Sequence, residues 1–353
     1  MNRLILLPLL LTPACNKDNN SADSGDSASV SVVNPHGRVG GFVTDQDGNP
    51  IEGVSVMAHL LSDEVYSVGT TLADGSYTLL EVGPGDHLIV TFQKEGYATN
   101  YKVTKLLNWE TVTSNAVLLQ IDGSKTISSF DANSVVIQNT TVEFQANSFA
   151  YPYTGARYNG NVTVEVTHVD PSTNEIAGAP RDLSAIASND ESQLVSYGMV
   201  DVTLRGENGE LLSLDADKPA VLKIPITNGD LPETLQLAPG DTQKTWSYDP
   251  ERNAWIEEAT GTVSDVDGEL YFVFEAPHFS WWNCDQGFVP SCAEGRVIDV
   301  LGFPVRGADV TCEGGQTTST AVTDENGVYT CSVMVGDYVS FTGRTFVDNR
   351  SWH

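Results

Sequence analysis

Short runs of alternating apolar and polar residues recur along most of this chain. Val54-Ser55-Val56-Met57-Ala58 is one, and Gly160-Asn161-Val162-Thr163-Val164-Glu165-Val166-Thr167 alternates over eight residues. Gly198 to Leu204, Pro219 to Ile226 and Gly268 to Phe274 are others. A period of two predicts half-buried strands. Between the runs stand Asp45-Gln46-Asp47-Gly48-Asn49-Pro50, Ala73-Asp74-Gly75, Gly83-Pro84-Gly85-Asp86 and Glu207-Asn208-Gly209. Glycine supplies positive φ in such turns, proline restricts the exit, and Asx side chains bond their own backbone. The expected fold is all-β: antiparallel β-sandwiches in series.

The pattern breaks at the N-terminus. Residues 1–15 carry Arg3, then an apolar run from Leu4 to Leu11 that is too short to cross a bilayer as a helix. Thr12-Pro13-Ala14-Cys15 resembles a bacterial lipobox, although Thr12 stands where that family has leucine. The resemblance implies cleavage before Cys15 and lipid attachment to its thiol, which would anchor the chain stably by several acyl chains on one residue. Asn16 follows rather than aspartate, which by the same resemblance points to export to the outer membrane, facing the periplasm or the cell surface. Residues 16–36 are rich in Asn, Asp, Ser, Ala and Gly and read as a disordered tether.

Residues 37–120 form the first folded region. Asp47-Gly48-Asn49-Pro50-Ile51, Asp74-Gly75-Ser76-Tyr77 and Lys94-Glu95-Gly96-Tyr97 stand in order within it. These landmarks resemble the carboxypeptidase regulatory-like domain, a transthyretin-like sandwich. That domain accompanies a catalytic one, so no peptidase activity follows. Residues 121–286 have longer strands and close on His278-Phe279-Ser280-Trp281. With Tyr158, Gly160, Trp246-Ser247-Tyr248-Asp249 and Trp255, they resemble a region of cartilage intermediate layer protein and, more distantly, sandwiches of ankyrins and netrin receptors. In residues 287–353 the first pattern returns: Asp324-Glu325-Asn326-Gly327-Val328-Tyr329 and Gly336-Asp337-Tyr338-Val339 repeat earlier turns. The chain thus carries an internal repeat. The second copy is a shortened sandwich, or has a strand missing or donated from elsewhere.

Four cysteines remain beyond Cys15. An even number in an exported chain reads as two disulfides. Aligned on the repeat, Cys312 takes the place of Ala58 and Cys331 that of Leu79. Transthyretin-like topology then implies an inter-sheet Cys312–Cys331 bond, leaving Cys284–Cys292. A zinc site from the four thiols is the alternative, but no Cys-x-x-Cys pair is present.

Composition narrows the function. With 47 acidic and 18 basic residues in 353, the net charge is −29, which repels nucleic acid and anionic lipid. No complete enzyme motif stands in the sequence, and neither a cofactor nor a metal is expected. Asp45, Asp47 and Asn49 are explained as a turn, and His168 with Asp170 lacks a third ligand. His278-Phe279-Ser280 resembles a self-cleavage site of certain nucleoporins. The resemblance casts His278 as base, Ser280 as nucleophile and Phe279–Ser280 as the scissile bond. The other reading makes the tripeptide part of a closing strand. The leading expectation is a non-enzymatic, surface-anchored lipoprotein presenting sandwiches for adhesion or envelope structure, to a protein or glycan ligand. One alternative is a glycan-binding protein that stacks sugars on Trp246, Trp255, Trp281 and Trp282; the other is a self-cleaving surface protein.

Overall fold

The computed structural model describes residues 5–12, 36–60, 65–180, 184–187, 190–229, 231, 233–288, 291–314, 318–334 and 338–345. Strands make up more than half of the described residues, with two short 3-10 turns and no α-helix, so the all-β expectation holds. Of the tether expected at 16–36, all but His36 lies outside the described residues.

The first sandwich has two sheets. One contains Gly37–Thr44, paired antiparallel with Ser76–Val82 and parallel with Thr111–Thr113 and Ala116–Val117. The other runs Val65–Thr70, Ser55–His59, Gly85–Gln93, Asn100–Leu106. Alternate residues of both sheets point inward, among them Val39, Val43, Val56, Leu79, Leu88 and Phe92, and close one core.

The last sandwich repeats this plan down to single hydrogen bonds. The Thr71 hydroxyl donates to Ile51 O and accepts from Val54 N; the Thr323 hydroxyl donates to Val305 O and accepts from Ala308 N. Asp45 Oδ1 accepts the backbone N–H groups of Asp47 and Asn49, and Asp299 Oδ1 those of Leu301 and Phe303. Gly48 and Gly302 occupy the same turn position, with φ of 84° and 87°; a Cβ there would be strained.

Cys312 lies in the sheet Thr318–Val322, Asp309–Gly314, Val339–Arg344, and Cys331 in the sheet with Ser291–Ile298. They are bonded across the core, as the repeat implied. The second expected bond does not form. Cys284 is a buried free thiol, so it does not join Cys292. The reason is direction: Cys284 points into the core of the middle unit, while Cys292 belongs to the last sandwich.

Among the described residues, the last sandwich has no counterpart of Asn100–Leu106 or Thr111–Val117. The flank of Ser291–Ile298 that those parallel strands would cover is occupied by Ile5–Thr12, paired antiparallel. Pro8 is compatible with that place because this strand lies at the edge of its sheet.

Between the repeats, an 11-stranded sheet runs from Gly123–Ser128 to Trp281–Phe288 in sequence and curls around a core that includes Val164, Val202, Phe272, Phe274 and Trp282. Its last strand ends at Phe288, two residues beyond the expected boundary. His278-Phe279-Ser280 is not part of a strand. It forms the connection between Glu269–Ala276 and Trp281–Phe288.

The cross-link closes a loop of 19 residues, worth about 3 kcal/mol by loop entropy. Replacing both Cys312 and Cys331 by alanine is expected to destabilise the last sandwich by about that amount. Calorimetry should show its transition falling while that of the first sandwich stays in place.

Candidate functional site

The connection at 277–280 is held by bonds that point away from one another. His278 Nε2 lies 3.0 Å from Glu258 Oε1, and the Ser247 hydroxyl donates to the same oxygen at 2.5 Å. The imidazole leans on the Trp282 ring, with centroids 5.0 Å apart, and Trp282 Nε1 donates to His278 O. Phe279 packs edge-on against Phe144 and belongs to the rim of the middle core. The Ser280 hydroxyl donates to Trp281 O at 3.2 Å. The structure therefore brings His278 and Glu258 together, and it does not place His278 on the Ser280 hydroxyl. Sequence reasoning missed Glu258, because a strand partner 20 residues away leaves no motif. Burial works to raise the Glu258 carboxyl, but the bonds from His278 and Ser247 outweigh it and hold the carboxyl below its usual range.

The four tryptophans proposed as a sugar platform are all buried. Trp246, Trp255, Trp281 and Trp282 lie between 0% and 2% exposed. Trp282 fills the middle core, and the other three line the contact with the first sandwich. This overturns their reading as a glycan-stacking row. Indoles placed inward on alternating strands are the largest apolar bodies available to fill these cores.

That contact holds the first sandwich to the middle unit. Trp281 Nε1 donates to Thr99 O at 3.0 Å, and Asn100 Nδ2 to Gly178 O at 2.8 Å. Asp201 sits opposite Trp281 in the register and is 8% exposed. Burial pushes its carboxyl up to about 7, against a hydrogen bond from Thr203.

The first and last sandwiches also touch. Asn115 Nδ2 donates to Asp309 Oδ2 at 3.2 Å, and Arg306 pairs with Glu110. A cavity of about 300 Å³ opens beside that contact, lined by Phe42, Lys102, Asn115, Asp309, Thr311 and Arg344 among others. Thr311 faces Thr320 and Thr342 across its neighbouring strands. Burial pushes the Asp309 carboxyl up, opposed by Lys102 and the bond from Asn115.

The metal candidates stay apart. Asp45 is engaged in closing its turn, His168 Nε2 lies 3.0 Å from Pro225 O, and Asp170 Oδ1 accepts from Ser172. Cys15 lies outside the described residues.

Residues 38–119 match the carboxypeptidase regulatory-like domain family. The chain is also similar to the major pilin subunit of Bacillus cereus, at 11% identity and a TM-score of 0.24, over 87% of this chain and 88% of that one. A carbohydrate-binding protein from Bacteroides uniformis, so described provisionally, matches 68% of this chain and 98% of its own, at 8% identity and a TM-score of 0.21. An ice-binding, calcium-stabilised adhesin from an Antarctic bacterium matches at 12% identity and a TM-score of 0.14, over 84% and 90% of the two chains. At these TM-scores the three likenesses carry no functional argument.

In the unfolded chain Asp201 ionises near pH 4, whereas the folded protein keeps its proton to about pH 7. Its contribution is full below about pH 4 and is lost as the pH rises to about 7. The Tm advantage of Asp201→Asn over the parent should therefore grow across that interval and level off above it. The plateau corresponds to up to about 4 kcal/mol, and thermal melts at stepped pH will read it.

Proposed function

We propose that this chain is a non-enzymatic, lipid-anchored surface protein that presents three β-sandwich units for adhesion or envelope structure. The observation that carries the reading is the duplicated sandwich, whose aspartate-closed turn and threonine hydroxyl bonds recur on either side of a middle unit whose candidate chemical groups serve the fold. His278 is tied to Glu258, Ser280 to a carbonyl, and the tryptophans to two cores. The leader-like residues 1–15 and the polar stretch 16–36 support attachment through Cys15. Among the described residues no helix is long and apolar enough to cross a membrane. In this reading the lipid on Cys15 attaches the chain to the outer membrane.

Cleavage before Cys15 removes Ile5–Thr12 from its place on the last sandwich. Ser291–Ile298 then becomes an edge strand, with unpaired backbone groups open to strand addition. A protein ligand that adds a strand there fits an adhesive role better than sugar stacking does.

Self-cleavage at Phe279–Ser280 is the second reading. The tripeptide favours it, but the imidazole is engaged by Glu258. Intact-mass analysis of the purified protein is expected to show no fragment beginning at Ser280; such a fragment would establish the second reading.

Metabolic labelling with a fatty-acid probe is expected to mark the parent chain and not Cys15→Ala. Loss of the lipid should move the protein from the membrane to the soluble fraction. Equal partitioning of the two would remove the anchor from the proposal.

A further inference from the structure

The repeat provides an internal control for the residues that the fold does not need. In the first sandwich, the turn closed by Asp45 carries Gln46, Asp47 and Asn49. In the last sandwich, the same turn closed by Asp299 carries Val300, Leu301 and Phe303. Leu301 is 77% exposed and Phe303 64%. The turn geometry does not require them, because polar residues make the same turn in the first copy. A second apolar turn, Leu107 to Glu110, displays Trp109 at 68% exposure and a φ of 64°. A bulky side chain seldom adopts that backbone conformation.

Both turns lie at one end of the molecule. Arg306, three residues after Phe303, pairs with Glu110, next to Trp109. A Cβ on Gly307 would stand 3.1 Å from Thr111 O. The chain enters the first sandwich at this same end, where Arg38 donates its backbone N–H to Glu110 O at 2.8 Å. Single exposed leucines are ordinary on protein surfaces. Here apolar residues from two separate sandwiches flank one contact between them, at the end where the first sandwich begins.

We propose that this end is a membrane-contacting tip, with Trp109, Leu301 and Phe303 seated in the interface of a net-neutral phospholipid bilayer and Leu107 and Val300 beside them. The proposal rests on the lipid anchor on Cys15, which stands 22 residues before Gly37 in the sequence, at the end where the first sandwich begins. A segment of that length can span enough distance for the tip to come down onto the surface. Tryptophan, leucine and phenylalanine side chains favour the bilayer interface. The net charge of −29 selects neutral over anionic headgroups. The contact orients the molecule: the turn at Leu72–Gly75, whose Gly75 O accepts from Val43 N near the far end of the opening strand, points away from the membrane.

The test compares an environment-sensitive fluorophore at two exposed leucines. Leu301→Cys probes the tip; Leu72→Cys, at 63% exposure in the native protein, probes the opposite end. The processed protein is reconstituted into phosphatidylcholine vesicles whose acyl chains carry bromine quenchers, and is recovered by flotation. The label at 301 should shift to the blue and lose most of its emission, while the label at 72 should do neither. Phe303→Cys, on the same turn, repeats the measurement if Leu301→Cys does not fold. Protein that fails to float overturns the anchor and the tip together. Protein that floats with position 301 as wet as position 72, or with both quenched alike, overturns the tip alone.

Discussion

Trp281 and Trp282 are neighbours in sequence and face opposite sides of one strand, and the assembly depends on that division. Side chains of a strand alternate between its faces. Trp282, with Cys284, closes the core of the middle unit, while Trp281 reaches out to Thr99 and fastens the first sandwich. A one-residue slip of this strand would exchange the two faces and empty both contacts. Its long pairing with the strand Asp190–Arg205 on one side and with Thr242–Asp249 on the other keeps the register. The buried Asp201, opposite Trp281, is held in the same contact and pushed toward its neutral form by it.

The two copies of the repeat show how one plan is stabilised by different means. Both use a threonine hydroxyl to tie a turn to the next strand, and both close a glycine-containing turn on an aspartate. The first copy has enough strands to bury a wide core. Among the described residues the last has fewer strands of its own and a smaller core, and it carries the cross-sheet disulfide. A small core with a cross-link is the usual solution where apolar burial is limited. The turn with Leu301 and Phe303 is a further divergence, and it faces outward rather than serving the core.

Much of this could be read from the chain. Alternating residues and Asp-Gly turns gave the strands of the first sandwich, and aligning the repeat paired Cys312 with Cys331. The site was less legible. His278 and Ser280 are adjacent enough to suggest a base and a nucleophile, but a side chain's partner depends on where the neighbouring strand lies. Glu258 reaches His278 because the strand Ala254–Val266 runs antiparallel beside Glu269–Ala276, and that register carries Glu258 to the connection that follows. The tryptophans look alike in sequence, and nothing local separates a stacking platform from a core. Elimination pairs Cys284 with Cys292, yet its strand face turns Cys284 into the middle core.

The sequence by itself determined the all-β class, the repeat and the chemistry of each turn. These depend on periodicity and on the φ preferences of Gly, Asp and Pro, which act over a few residues. The tertiary structure decided which face of each strand meets another unit, which polar groups are paired, and that Trp109 and the Leu301 turn share one end of the molecule. Those facts depend on contacts between residues far apart in the chain, and no local preference encodes them.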